Sequence, residues 1–167
     1  PLMLGRNAKG WRICAAPFFS LIAGVALFLL PQTSRATSLE VSLAETGTLL
    51  VEIVLPDPAE WCVLWRHSVK GFEVQDCYAM QNGQMVLVWS HLPDFAAGLD
   101  HIIGRGRQIS DGQGGYIIED INEPVAGNAY ILRPGSMAVD HRIHAGATEI
   151  SLSRMAEHQR VRIALIP

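Results

Sequence analysis

The sequence predicts an all-β domain, an antiparallel sandwich or partly closed barrel of about ten short strands, preceded by an N-terminal hydrophobic helix. Three observations predict it. From Ser38 onward, short apolar runs alternate with Gly, Pro, Asn and Asp. No segment beyond residue 36 keeps a helical period over three turns. Ahead of that point, Arg6, Lys9 and Arg12 precede an uncharged run from Ile13 to Leu30.

These features divide the 167 residues into 1–36, a signal peptide or membrane anchor, and 37–167, one β domain. A basic segment followed by an apolar run is an export signal, because the positive end stays cytoplasmic. As a helix, 13–30 would span roughly 27 Å, long for a cleavable segment and barely enough for a bilayer. Pro31 ends it, and Ser34-Arg35-Ala36 offers small residues for cleavage after Ala36. Cys14 opens the apolar run, whereas a lipidated cysteine would close it. The net charge of −3 and pI near 6.1 argue against a nucleic-acid surface.

The strands follow in order. Leu49, Val51, Ile53 and Leu55 are expected on one face of a strand, which Pro56-Asp57-Pro58 stops. Trp61-Cys62-Val63-Leu64-Trp65, residues 72–80 and Met85-Val86-Leu87-Val88-Trp89 are expected to form an antiparallel meander. Residues 92–115 read as a long loop with one short strand near Gln108, and long loops are often functional. Strands resume at 115–118, 129–132, 137–143 and 148–152, with turns at Pro134-Gly135 and Ala145-Gly146. One helical turn fits 153–158, and Val161, Ile163 and Leu165 mark a closing strand.

Several groups invite a chemical reading. If Val69 and Lys70 occupy the first turn of the meander, facing positions sum to 139, so Cys62 and Cys77 can bond across the hairpin. Export makes the bond chemically allowed, and two small buried hydrophobes are the alternative. His67 and Ser68 resemble a base and a nucleophile, but neighbouring strand residues point to opposite faces. The structural expectation is that Ser68 satisfies turn amides and His67 bonds to Asp76 or Glu73. His141 and His144 stand at i and i+3 on an expected strand, and His91 and His101 bracket the long loop. Their spacing matches no standard metal set, so no metal is expected. Gly104-Arg105-Gly106-Arg107 and Asp111-Gly112-Gln113-Gly114-Gly115 look like ligand loops, though no phosphate-loop Gly-Lys-Ser/Thr follows and no cofactor is expected. Arg105 and Arg107 are suited to hold a carboxylate bidentately.

His67-Ser68-Val69, then Val74, Asp76 and Tyr78, the turn Asn82-Gly83, and Phe95-Ala96-Ala97-Gly98-Leu99 carry a resemblance. With Gly115-Tyr116 and Ile150-Ser151-Leu152, they make residues 48–165 resemble a bacterial family called domain of unknown function 1850. The chain departs from it at Ala96, where the family has Gly, at Asp100, where it has Pro, and at Cys77, where it has a second acidic residue. The resemblance implies a small exported protein associated with tripartite ATP-independent periplasmic (TRAP) transporters of the TAXI type, which import small organic acids. The expectation is a non-enzymatic periplasmic accessory, either periplasmic or anchored in the inner membrane by an uncleaved N-terminal segment. Its expected partners are the TRAP permease or the solute-binding protein. His67, Ser68, Asp76, Arg105 and Arg107 are the candidate binding residues. A free-standing periplasmic module binding a small anion or metal is the alternative, and a hydrolase using His67 is a further one.

Overall fold

The computed structural model describes residues 36–94 and 102–167. The N-terminal helix expected before Ala36, the Phe95-Ala96-Ala97-Gly98-Leu99 string, Asp100 and His101 lie outside the described residues. Among those described, no helix is long and apolar enough to cross a membrane.

The described residues form twelve strands that pair antiparallel in two sheets. They are β1 (Ser38–Leu43), β2 (Leu49–Val54), β3 (Glu60–Arg66), β4 (Glu73–Gln81), β5 (Gln84–Leu92), β6 (Arg107–Ser110), β7 (Tyr116–Glu119), β8 (Glu123–Pro124), β9 (Ala129–Leu132), β10 (Arg142–Ala145), β11 (Thr148–Ser151) and β12 (Val161–Ile166). One helix, α1 (Leu152–Ala156), joins β11 to β12, with the Ser151 hydroxyl accepting from the Arg154 amide. The four-stranded sheet runs β2-β1-β12-β9. The eight-stranded sheet runs β11-β10-β3-β4-β5-β7-β6, with β8 beside the start of β5. The ladders leave two open sheets and no closed barrel among the described residues.

Alternation places the core between the sheets. Leu39 and Val41 of β1, Ile53 of β2, and Val161, Ile163 and Leu165 of β12 meet Trp61 and Val63 of β3, Met85 of β5 and Ile143 of β10. The hairpin register sums to 139, pairing Cys62 with Cys77, Val63 with Asp76 and Trp65 with Val74. Cys62 and Cys77 are bonded at 2.01 Å. Asn82 and Gly83 take the positive φ values, 54° and 77°, that a two-residue β4–β5 turn requires.

Three expectations change. Leu49 does not join Val51 and Ile53 on the core face, because a bulge at Val41/Ser42 shifts the pairing and leaves Leu49 exposed. The strand expected at 137–143 begins only at Arg142. Val139 and Asp140 donate their amides to Ser136 in a turn, and Asp140 has φ 49°. Leu92 belongs to β5, where it pairs with Tyr116, and not to the loop. A strand does cover Gln108, and the glycine-rich stretch after it is the β6–β7 turn.

The two sheets differ in width, which decides where a site can form. β9 is the last strand of the narrower sheet, while the wider one continues through β5, β7 and β6. Its inner face there holds a second core of Val74, Leu87, Leu92, Tyr116, Ile118 and Ile121. β7 and β8 share the flank of β5 but are separated at Asp120 and Asn122, whose φ values are 56° and 49°. Beyond β8, Asn128 imitates a strand: its Oδ1 accepts from the Met85 amide at 2.9 Å, and its Nδ2 donates to the Gly83 carbonyl at 2.8 Å.

Candidate functional site

Beyond the edge of β9 the space between the sheets opens into a cleft. One cavity of about 230 Å³ is lined by Val63, Trp65, Asp76, Tyr78, Tyr130, Leu132 and His141. A smaller one, about 160 Å³, shares Trp65 and Asp76 and adds Ser90 and Arg105. The strand pattern explains these occupants. Val74, Asp76 and Tyr78 alternate on the inner face of β4, and Trp61, Val63 and Trp65 face them from β3. Asp76 therefore stands as a single carboxylate in an apolar and aromatic row.

Asp76 accepts a hydrogen bond from the Ser90 hydroxyl at 2.6 Å, across the β4–β5 ladder. Burial raises its pKa, opposed by that hydroxyl and by the Arg105 charge. It has no ion-pair partner within 4.0 Å among the described residues. Trp61, Tyr78 and Tyr130 stack in a ladder with ring centroids 5.6 and 5.4 Å apart. Burial, with the Asp76 charge as a second cause, pushes the Tyr78 phenol up to about 12. Burial likewise holds Tyr130 well above the ordinary phenol range. The Tyr130 hydroxyl lies beside Tyr78 and the Trp61 indole N–H, and neither it nor the indole N–H completes a hydrogen bond of good geometry among the described residues.

His141 forms part of the cavity wall and stacks on Trp65, with ring centroids 5.8 Å apart. Its Nδ1 accepts from the Gly135 amide at 3.1 Å, so the neutral ring carries its proton on Nε2. Burial lowers its pKa, against the opposing pull of Asp140.

The candidate residues named from sequence divide. Asp76 and Arg105 line one cavity. His67 and Ser68 line neither part of the cleft. His67 does not reach Asp76 or Glu73: its Nδ1 accepts from the Val69 and Lys70 amides at 3.3 and 3.1 Å, and its ring stacks on Phe72. The histidine therefore caps the turn that Ser68 was expected to satisfy, and Glu73 binds Arg142 instead. Arg105 and Arg107 do not converge on one carboxylate. Arg105 Nε donates to Glu123 at 2.6 Å, while Arg107 reaches Glu119 at 2.6 Å and Asp120 at 3.7 Å. The glycine-rich turn at 111–115 is filled by its own carboxylate, since Asp111 Oδ1 accepts from Gln113 and Gly115 and Oδ2 meets His91 at 3.0 Å. That contact with His91 is the leading cause of the lowered Asp111 pKa. No group of three or more His, Cys, Asp or Glu side chains is placed to hold a metal ion among the described residues.

Nothing in the sequence pattern groups Trp65, Tyr78, Ser90, Tyr130 and His141 as one site. Asp76 carried a usable signal, a charge on the inner face of an otherwise apolar strand. Cys77, which stands where the resembled family has a second acid, projects to the opposite face with Cys62. An acid there could not share the cleft with Asp76.

No curated protein and no solved structure matches the chain. A family model, Domain of unknown function (DUF1850), matches residues 62–152, which run from the disulfide strand through Leu152 and hold every cleft residue described above. This span is more than half of the 167 residues, and the chain belongs to that family.

Proposed function

We propose that this chain is a non-enzymatic, exported binding domain that serves a TAXI-type TRAP transporter as an accessory at the periplasmic face of the permease. The supporting observation is the cleft beyond β9, in which Asp76, Ser90, Tyr78, Tyr130 and Arg105 gather within an apolar frame. Concave, mostly apolar sites with a few convergent polar groups are where small ligands bind. The export signal and the transporter association come from the sequence and the family resemblance, and the cleft adds a place for a ligand. His67, the residue a hydrolase would need, spends its Nδ1 on the turn amides and lies outside the cleft wall. An N-terminal anchor would raise the local concentration near a membrane partner, so a weak interface would suffice.

Deletion of the gene, with uptake of the transporter's substrate as readout and pull-down of the tagged chain from membranes, tests this reading. Reduced uptake with recovery of a transporter subunit is expected. Unchanged uptake with no subunit recovered refutes the transporter assignment. A fusion at the C-terminus tests export: a reporter active only in the periplasm should function, and activity of a cytoplasm-only reporter refutes the placement.

A further inference from the structure

We propose that the cleft beyond β9 receives a protonated amine, with Asp76 as its counter-ion and Trp65 and Tyr130 as ring walls. This rests on the cleft being the ligand site and does not depend on the transporter assignment.

Charge comes first. Among the described residues Asp76 is the one carboxyl group lining the larger cavity and no Lys or Arg lines it, while burial lowers the pKa of the neighbouring His141 and so disfavours a cation there. A carboxylate drawn out of water is costly unless it is paired, and Asp76 has a single hydroxyl donor and no ion-pair partner within 4.0 Å among the described residues. The cation that comes nearest in effect, Arg105, already shares its charge with Glu123 at 2.6 Å. A carboxylate ligand in this cavity would meet a like charge, whereas an ammonium group would supply the missing opposite one.

The hydrogen-bonding groups agree. An ionised carboxylate only accepts, and so selects a ligand with hydrogen-bond donors over one with acceptors alone. The ring of Tyr130 lines the same cavity, while its hydroxyl is buried beside Tyr78 and Trp61. Trp65 and Tyr130 each stack on one neighbour, which leaves their second faces without an aromatic partner among the described residues. Aromatic faces attract alkylammonium groups through the ring quadrupole, most strongly away from water. The cavity of about 230 Å³ limits the ligand to a small amine with a short apolar or aromatic remainder.

The test uses the full purified chain at pH 7.5, with calorimetry and tryptophan fluorescence as readouts. Three matched probe series are titrated: butylamine and benzylamine, then butanol and benzyl alcohol, then butyrate and benzoate. The amines should bind at least tenfold more tightly than the alcohols of the same shape, and D76N should abolish that preference. The comparison of amine with alcohol needs only the native chain, so it decides the matter even if a variant misfolds. Tighter binding of the acids, equal binding of amine and alcohol, or amine affinity unchanged in folded D76N overturns the amine assignment and leaves the cleft as a site for another ligand. Binding by none of the three series overturns both the amine assignment and the reading of the cleft as a small-ligand site.

Discussion

Reduction of the Cys62–Cys77 bond should weaken the domain by up to about 3 kcal/mol. The two cysteines are 15 residues apart and close the β3–β4 hairpin. For a loop of that length, chain-entropy reasoning gives roughly 10 cal/mol/K removed from the unfolded ensemble, hence about 3 kcal/mol at 25 °C. That figure is an upper bound, because residual hairpin structure in the unfolded chain would close part of the loop already. Urea unfolding of the oxidised and reduced chain is the assay, since reduction changes nothing else in the covalent structure. With a slope of about 1–3 kcal/mol per molar, the midpoint should fall by about 1–3 M on reduction. The thiols should resist alkylation until reductant is added, and the Cys62→Ala/Cys77→Ala pair should unfold near the reduced form. Coincident oxidised and reduced curves would refute the reasoning.

Three further outcomes are expected. Asp76 has a folded pKa raised by burial, so its contribution is fully present below about 3.8 and is lost as pH rises through the raised value; native chain relative to D76N should therefore gain stability as pH falls from 7.5 towards 4, and a difference that stays constant with pH contradicts the assignment. Gly106 and Gly104 both have positive φ, but a Cβ at Gly106 would stand 2.4 Å from the Glu119 carbonyl, whereas one at Gly104 would meet nothing within 4 Å. G106A should thus cost about 1–3 kcal/mol more than G104A in urea melts, and equal costs would show that the close approach does not matter. N128A removes partners from the Met85 amide and the Gly83 carbonyl and should cost about 2 kcal/mol, and hydrogen exchange at Met85 should accelerate; an unaltered Met85 rate counts against the bridging role.

The hairpin containing the disulfide was legible because apolar alternation in β3 and β4 leaves few registers, and the position of the turn fixes the pairing of Cys62 with Cys77. The Asn82-Gly83 turn and the β12 strand were legible for equally local reasons. Membership of a sheet was not. Nothing in Ala129-Tyr130-Ile131-Leu132 says that it pairs with β12, and Tyr130 enters the cleft only through that pairing. Trp65, Asp76 and His141 come from β3, β4 and the turn before β10, and only the completed topology brings them together. His67 misled for a local reason: its ring serves the turn amides two and three residues ahead, a competition between side chain and backbone that a pattern of types does not display. The strand expected at 137–143 failed in the same way, because Asp140 adopts a left-handed conformation.

The unequal width of the two sheets has an evolutionary consequence. Asp76 and Ser90 sit on β4 and β5, inside ladders whose register the rest of the wider sheet enforces. Arg105, by contrast, reaches the same cleft from a segment outside the strands. Residues of the first kind are expensive to move, because a shift of one position turns a whole strand over. Residues of the second kind can be exchanged without disturbing a ladder. A lineage built on this frame can therefore retune what the cleft accepts by altering the rim while it keeps the floor, so divergence of ligand preference can proceed with little change of fold.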